Sequence, residues 1–76
     1  MRFAFALGKA GRVQAEVFDA AGPRVAVVID DELTAGAHFG AWDGRLTGGA
    51  LAKAGRYSLR LRLPGYSETR SIVIAR

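Results

Sequence analysis

The residues able to do chemistry are few in this chain and loosely spaced. Asp43 stands in the run Trp42-Asp43-Gly44-Arg45, where a carboxylate could serve as a metal ligand or a general acid. His38 is the single histidine, and there is no cysteine. Thiol nucleophiles, disulfides and zinc–thiolate centres are therefore excluded. Asp30-Asp31-Glu32 is the only acidic run. Its charge suits calcium, but the ligand spacing of a dedicated calcium loop is absent, which leaves a solvated loop closing a strand. Ser58, Ser67 and Ser71 fall in alternating segments and not on the strained turn that exposes a nucleophile. Asp43 itself reads as turn chemistry, because aspartate bonds nearby backbone N–H groups and glycine accepts φ > 0. No residues are assigned to catalysis, a metal or a cofactor.

These residues sit among segments of alternating polarity. Phe3, Phe5 and Leu7 mark a first strand, and Val13, Ala15 and Val17 a second that continues through Phe18. Asp19-Ala20-Ala21-Gly22 reads as a type I hairpin turn with a bulge, aspartate first and glycine fourth. Val25, Val27 and Ile29 mark a third strand, His38 to Trp42 a fourth, residues 56–63 a fifth and 67–75 a sixth. Trp42 is too large to leave in water and plugs one end of a core. Gly48, Gly49 and Gly55 let the following loop bend. Tyr57, Leu59, Leu61 and Leu63 alternate with Ser58, Arg60 and Arg62, a half-buried strand. The in-phase set Phe5, Val17, Val25, Trp42, Tyr57, Leu59, Leu61 and Val73 is the expected core. Helical periodicity is absent, and short strands with turn signals between them predict one all-β antiparallel sandwich or small barrel over residues 1–76, of roughly six or seven strands.

Composition narrows the setting. At 76 residues one small domain is the ceiling, and 50% apolar residues suffice for a core. No apolar run approaches the length of a membrane span, so no membrane partner is expected, and the segment after Met1 is too short for a signal peptide. The net charge is +4 and the isoelectric point about 10.4. That balance raises a nucleic-acid alternative, with Arg60, Arg62 and Arg70 on the backbone and Phe39, Tyr57 and Tyr66 as stacking platforms. The eleven Lys and Arg are spread along the chain, however. Arg60 with Arg62, and Arg70 with Arg76, read as solvated charges on outer sheet faces.

In order and spacing the pieces resemble the FlgD-type immunoglobulin-like domain, the module of the flagellar hook-capping protein that is similar to type IX secretion sorting domains. The resemblance rests on Phe3-Ala4-Phe5-Ala6-Leu7, on Ala15 to Val25 with its Asp19 and Gly22, on Ala35-Gly36-Ala37-His38, on Trp42-Asp43-Gly44-Arg45, on Gly49, on Gly55-Arg56-Tyr57 and on Ile72-Val73-Ile74-Ala75-Arg76. Gly40 departs from it: the family usually carries an apolar residue two before the Trp, so that Phe39 compensates or the strand bulges. Leu46-Thr47 replaces a polar pair and Pro23 an arginine. Phe39 and Leu46, with Arg60 and Arg62, are the candidate contact surface.

The resemblance implies an immunoglobulin-like sandwich with no catalytic residues or cofactor. It implies a structural role as scaffold, spacer, assembly or secretion-sorting domain of an exported bacterial protein, at the cell surface or outside the cell. Partners would then be protein neighbours, or a second copy through exposed strand edges. On this reading the chain is a domain of a longer protein or a small stand-alone subunit, and Met1 a start codon or an addition.

Overall fold

The computed structural model describes residues 1–75. Six antiparallel strands form in chain order: β1 (Arg2–Leu7), β2 (Gly11–Asp19), β3 (Arg24–Leu33), β4 (Gly36–Ala41), β5 (Gly55–Leu63) and β6 (Tyr66–Ile74). They make two sheets, β1-β4 and β3-β2-β5-β6. The expected all-β, immunoglobulin-like sandwich is what forms. β3 runs longer than expected and takes in Asp30-Asp31-Glu32, paired with Gln14, Val13 and Arg12. The acidic run is thus strand, not loop, and its side chains stand exposed at one end of the larger sheet.

Alternation decides most of the packing. Phe3, Phe5 and Leu7 of β1 point at Val13, Ala15 and Val17 of β2 and at Leu59 and Leu61 of β5, and all are buried. Such in-phase sets bury one sheet face each, the main source of stability in a domain this small. Of the expected core, Phe5, Val17, Trp42, Leu59 and Leu61 are buried, while Val25 and Tyr57 are half-buried against it.

Val73 is not in the core; it is 70% exposed, and Ile72 and Ile74 point inward instead. The cause is register. Pro64-Gly65 joins β5 to β6 as a two-residue turn, with Gly65 at φ 72, as a type II turn requires at its third position. That turn pairs Leu63 with Tyr66 and hence Tyr57 with Ile72, placing the even-numbered residues of β6 on the core face.

β3 carries a second surprise. Its register against β2 slips at Ala15/Glu16 and again at Val17/Phe18. Ile29 opposes Ala15, but Val27 opposes Glu16 and Ala26 opposes Val17. Val27 therefore faces solvent and Ala26 is buried, although simple alternation would have kept Val27 in phase with Ile29.

Candidate functional site

The Trp42 corner is the most highly bonded part of the molecule outside the sheets. Trp42 follows β4 and is 5% exposed. Its indole N–H donates to the Arg45 carbonyl at 2.9 Å, and its ring meets Tyr57 edge-on, centroids 5.8 Å apart. Asp43 accepts from the Arg45 backbone N–H at 3.0 Å, the bond of an Asx turn. Gly44 takes φ 78 between them, a conformation disfavoured once a Cβ is present. The Arg45 guanidinium donates to the Gly49 carbonyl at 2.8 Å, and Ala52 N–H to Gly44 at 2.8 Å. Gly55 opens β5 opposite Ile74. The Tyr57 hydroxyl donates to the Lys53 carbonyl, four residues upstream, at 2.7 Å. That is the bond of a tyrosine corner, where the loop between the sheets enters its strand.

At the far hairpin Asp19 does the same work. Its carboxylate accepts from Ala21 and Gly22 N–H at 2.9 and 3.1 Å. Every polar group picked out in these two motifs is spent on the chain's own backbone.

The outer face of the larger sheet holds the feature that sequence reasoning passed over. Glu16 points outward from β2, yet its side chain is only 8% exposed. Arg24 and Arg60 close over it, at 2.8 and 3.3 Å. The Arg60 guanidinium also lies over the Phe18 ring, 4.4 Å from its centroid, and its Nε, buried against this cluster, has no hydrogen-bond partner among the described residues. The available signal was a glutamate flanked by arginines on strands that pair with its own; without the register that neighbourhood is invisible. Arg62 shares the face but is exposed.

The other candidates separate. Phe39 is 73% exposed on the outer face of the smaller sheet. Leu46 is half-buried against the core, so it makes no common patch with Phe39. Gly40 is compensated neither by Phe39 nor by a bulge: β1 and β4 pair without interruption, and Phe3, opposite Gly40, lays its ring over it. Arg70 lies on the inward side of β6, away from Arg60 and Arg62, and Arg76 is outside the described residues. The three aromatic platforms of a nucleic-acid surface do not converge: Phe39 stands on the outer face of the smaller sheet, while Tyr57 and Tyr66 lie on the core-side face of the larger one, near opposite ends of the β5-β6 hairpin. His38 stacks on Phe5, centroids 5.6 Å apart, and donates from Nε2 to the Thr34 carbonyl at 2.7 Å, a packing role.

A family model, the FlgD Ig-like domain, matches residues 2–63. The chain belongs to that family. The match spans β1 to β5 and both turn motifs; β6 lies past its end yet completes the larger sheet of this FlgD Ig-like domain. No curated protein and no solved structure matches. The family is one of non-catalytic modules and occurs in exported bacterial proteins.

Two expected outcomes follow from these bonds. Asp43→Ala removes the acceptor and leaves the Arg45 N–H to solvent, a loss of about 0.5–1.5 kcal/mol. Thermal melting should read it as a fall of a few degrees, and Asp43→Asn should lose less than half as much, because its amide oxygen still accepts. Equal losses, or calcium-dependent melting abolished in the Asn variant, would refute the turn role.

The Glu16 carboxyl is held below its ordinary pKa of 4.5, first by the hydrogen bond from Arg24 and then, against desolvation, by Arg60. Its folded value lies below its unfolded one, so the stabilisation is complete above the unfolded pKa and is lost as pH falls through the folded one. Both arginines are more than a third exposed, which limits the contribution to about 1 kcal/mol or less. Melting from pH 7 down to pH 3 should show a steeper decline in the parent than in Glu16→Gln. Glu68, also held low by Arg70, titrates in the same window and leaves the variant some residual slope. Parallel curves would refute the assignment.

Proposed function

We propose that the chain is a non-catalytic structural module of an exported bacterial protein, a scaffold or assembly element at the cell surface or beyond it, working by contact with protein neighbours. The observation that carries this reading is the outer face of the smaller sheet. Ala4 and Ala6 of β1 stand beside Ala37, Phe39 and Ala41 of β4, all exposed, with Arg2 the only charge among the outward residues of the two strands. An apolar sheet face of this kind suits a protein neighbour and offers nothing to a polyanion. The positive charge, by contrast, is scattered, and part of it is already spent: Arg24 and Arg60 on Glu16, Arg12 on Asp30, Arg70 on Glu68.

The test is a salt titration of binding to a single-stranded oligonucleotide. Arg56 and Arg62, both exposed on the outer face of β5, are reversed to glutamate; Arg60 is kept because it holds Glu16. Weak binding seen only at low salt is expected. Sub-micromolar binding at physiological salt, lost on reversal, would overturn the reading in favour of a nucleic-acid module.

A further inference from the structure

β3 holds two more residues than a plain ladder against β2 needs. Among the described residues Val25 and Val28 have no partner on β2, one at each slip of the register. Both lean on the core. Beside the hairpin turn Phe18 faces Arg24; beyond both bulges Ala15 faces Ile29 and Gln14 faces Asp30. A ladder continued from Arg24 without bulges would set Val25 opposite Val17, Val27 opposite Ala15, Ile29 opposite Val13 and Asp30 opposite Arg12. Val25, Val27 and Ile29 would then share the core face, which is the alternation that the sequence itself carries.

No stable halfway state lies between the two. Removing one bulge moves the strand by one residue and turns over every side chain beyond it. Ile29 would then face Gln14 on the outer side, and Asp30 would face Val13, which is wholly buried. Only the loss of both bulges together restores the facing, so the strand has two discrete arrangements. Each has something that the other lacks. The bulged register seats Val25, Ala26, Val28, Ile29 and Leu33 against the core, but it leaves Asp31 opposite Val13. The plain register exchanges Ala26, Val28 and Leu33 for Val27, puts Ile29 in the place of Asp31 and makes an unbroken ladder. Arg12, which reaches along the strand to Asp30 at 2.7 Å, would stand directly opposite it.

The Trp42 corner holds the bulged register. Asp19 N–H donates to the Pro23 carbonyl, so Val17 and Val25 are the next bonded pair of a plain ladder. In the structure the Val25 carbonyl instead accepts from Thr47 N–H, at 2.8 Å. Thr47, with Trp42, lines a groove whose other wall is Ala26, Val27 and Val28.

We propose that β3 is a two-register strand. The bulged register is the ground state, latched by Thr47, and the plain register, two residues along, is a populated minor state. The slip brings Asp30 to Arg12, buries Val27, turns Val28 outward and frees Thr47, which remakes the groove beside Trp42. It advances the end of β3 by two residues, about 7 Å. Glu32 and Leu33 pass into the link to β4, and Thr34 is drawn from His38 Nε2, which donates to its carbonyl at 2.7 Å. The device belongs to the fold and does not depend on the contact-module reading.

The test is relaxation-dispersion NMR on the folded chain, which reads microsecond-to-millisecond exchange. One process of a single rate is expected across residues 25–33, with the Thr47 amide and the His38 ring reporting the same rate. Val27→Lys places its ammonium outside, opposite Glu16, in the bulged register and inside the core in the plain one. Burying an unpaired charge is costly, so the minor population should fall by about tenfold or more and the dispersion vanish. Ala26→Lys should do the reverse, since position 26 is buried in the bulged register and faces Glu16 in the plain one. Its ground-state shifts should match the minor-state shifts of the parent, and its Hα contacts should join Arg12 to Asp30. If Ala26→Lys fails to fold, the parent and Val27→Lys still decide. A parent without dispersion in β3, or dispersion that Val27→Lys leaves unchanged, would overturn the proposal. So would a folded Ala26→Lys that keeps Gln14 opposite Asp30.

Discussion

Trp42→Ala should leave the domain at the margin of folding. The indole is 5% exposed and packed against Tyr57, and its N–H holds the Arg45 carbonyl. Truncation of a buried tryptophan costs about 3–5 kcal/mol through lost transfer energy and the cavity left behind. Domains are stable by about 0.05–0.15 kcal/mol per residue, roughly 4–11 kcal/mol for a chain of this size, so the loss takes a large share of the whole. A melting temperature lower by about 15 °C or more is the expected result, at about 4–8 °C per kcal/mol. Trp42→Phe should fall between, because it restores ring contact with Tyr57 but not the bond to Arg45. An alanine variant that melts within a few degrees of the parent would show that the indole is no part of the core.

Gly40→Ala should also destabilise the domain, for the opposite reason. A Cβ built at Gly40 stands 2.7 Å from Cε1 and Cε2 of Phe3 and closer still to Cζ. The ring is itself 7% exposed and lies near Phe5, centroids 6.1 Å apart, so it has little room to retreat. Overpacking of this kind costs about 1–3 kcal/mol. The pairing resembles the rescue of a strand glycine by a cross-strand aromatic ring. In a Phe3→Leu background the space is open, and Gly40→Ala should then be nearly neutral. The double-mutant cycle should give a coupling of about 1 kcal/mol or more. Additive effects would mean that the two sites do not share that space.

These two experiments address parts of the chain that differ in how far sequence alone reveals them. Trp42 as a core plug and Asp43 as a turn residue were both legible, since each follows from side-chain chemistry and its immediate neighbours. So was β5, whose strict alternation of leucine with serine and arginine allows one orientation only. Gly40 was legible as a departure but not as a solution, because the ring that fills its space comes from the first strand.

β6 and β3 show where sequence reasoning runs out. Ile72-Val73-Ile74 is apolar at three successive positions, so it carries no alternation to choose a face. The Pro64-Gly65 turn chose it, by fixing the pairing of Leu63 with Tyr66. In β3 every position from Val25 to Ile29 is apolar, and the register slip at Ala15/Glu16 turned Val27 out and Ala26 in. Bulges leave no mark in a run of similar residues.

By itself, then, the sequence determined the fold class, the turns, the strand centres and the family, because each depends on residues close together in the chain or on an ordered set of such pieces. Tertiary structure alone decided three things. It closed Arg24 and Arg60 over Glu16, it laid Phe3 on Gly40, and it brought the Arg70 guanidinium to the Ala4 carbonyl of β1. Each joins residues on different strands, and a contact across strands exists only once register and sheet packing have set which side chains face one another.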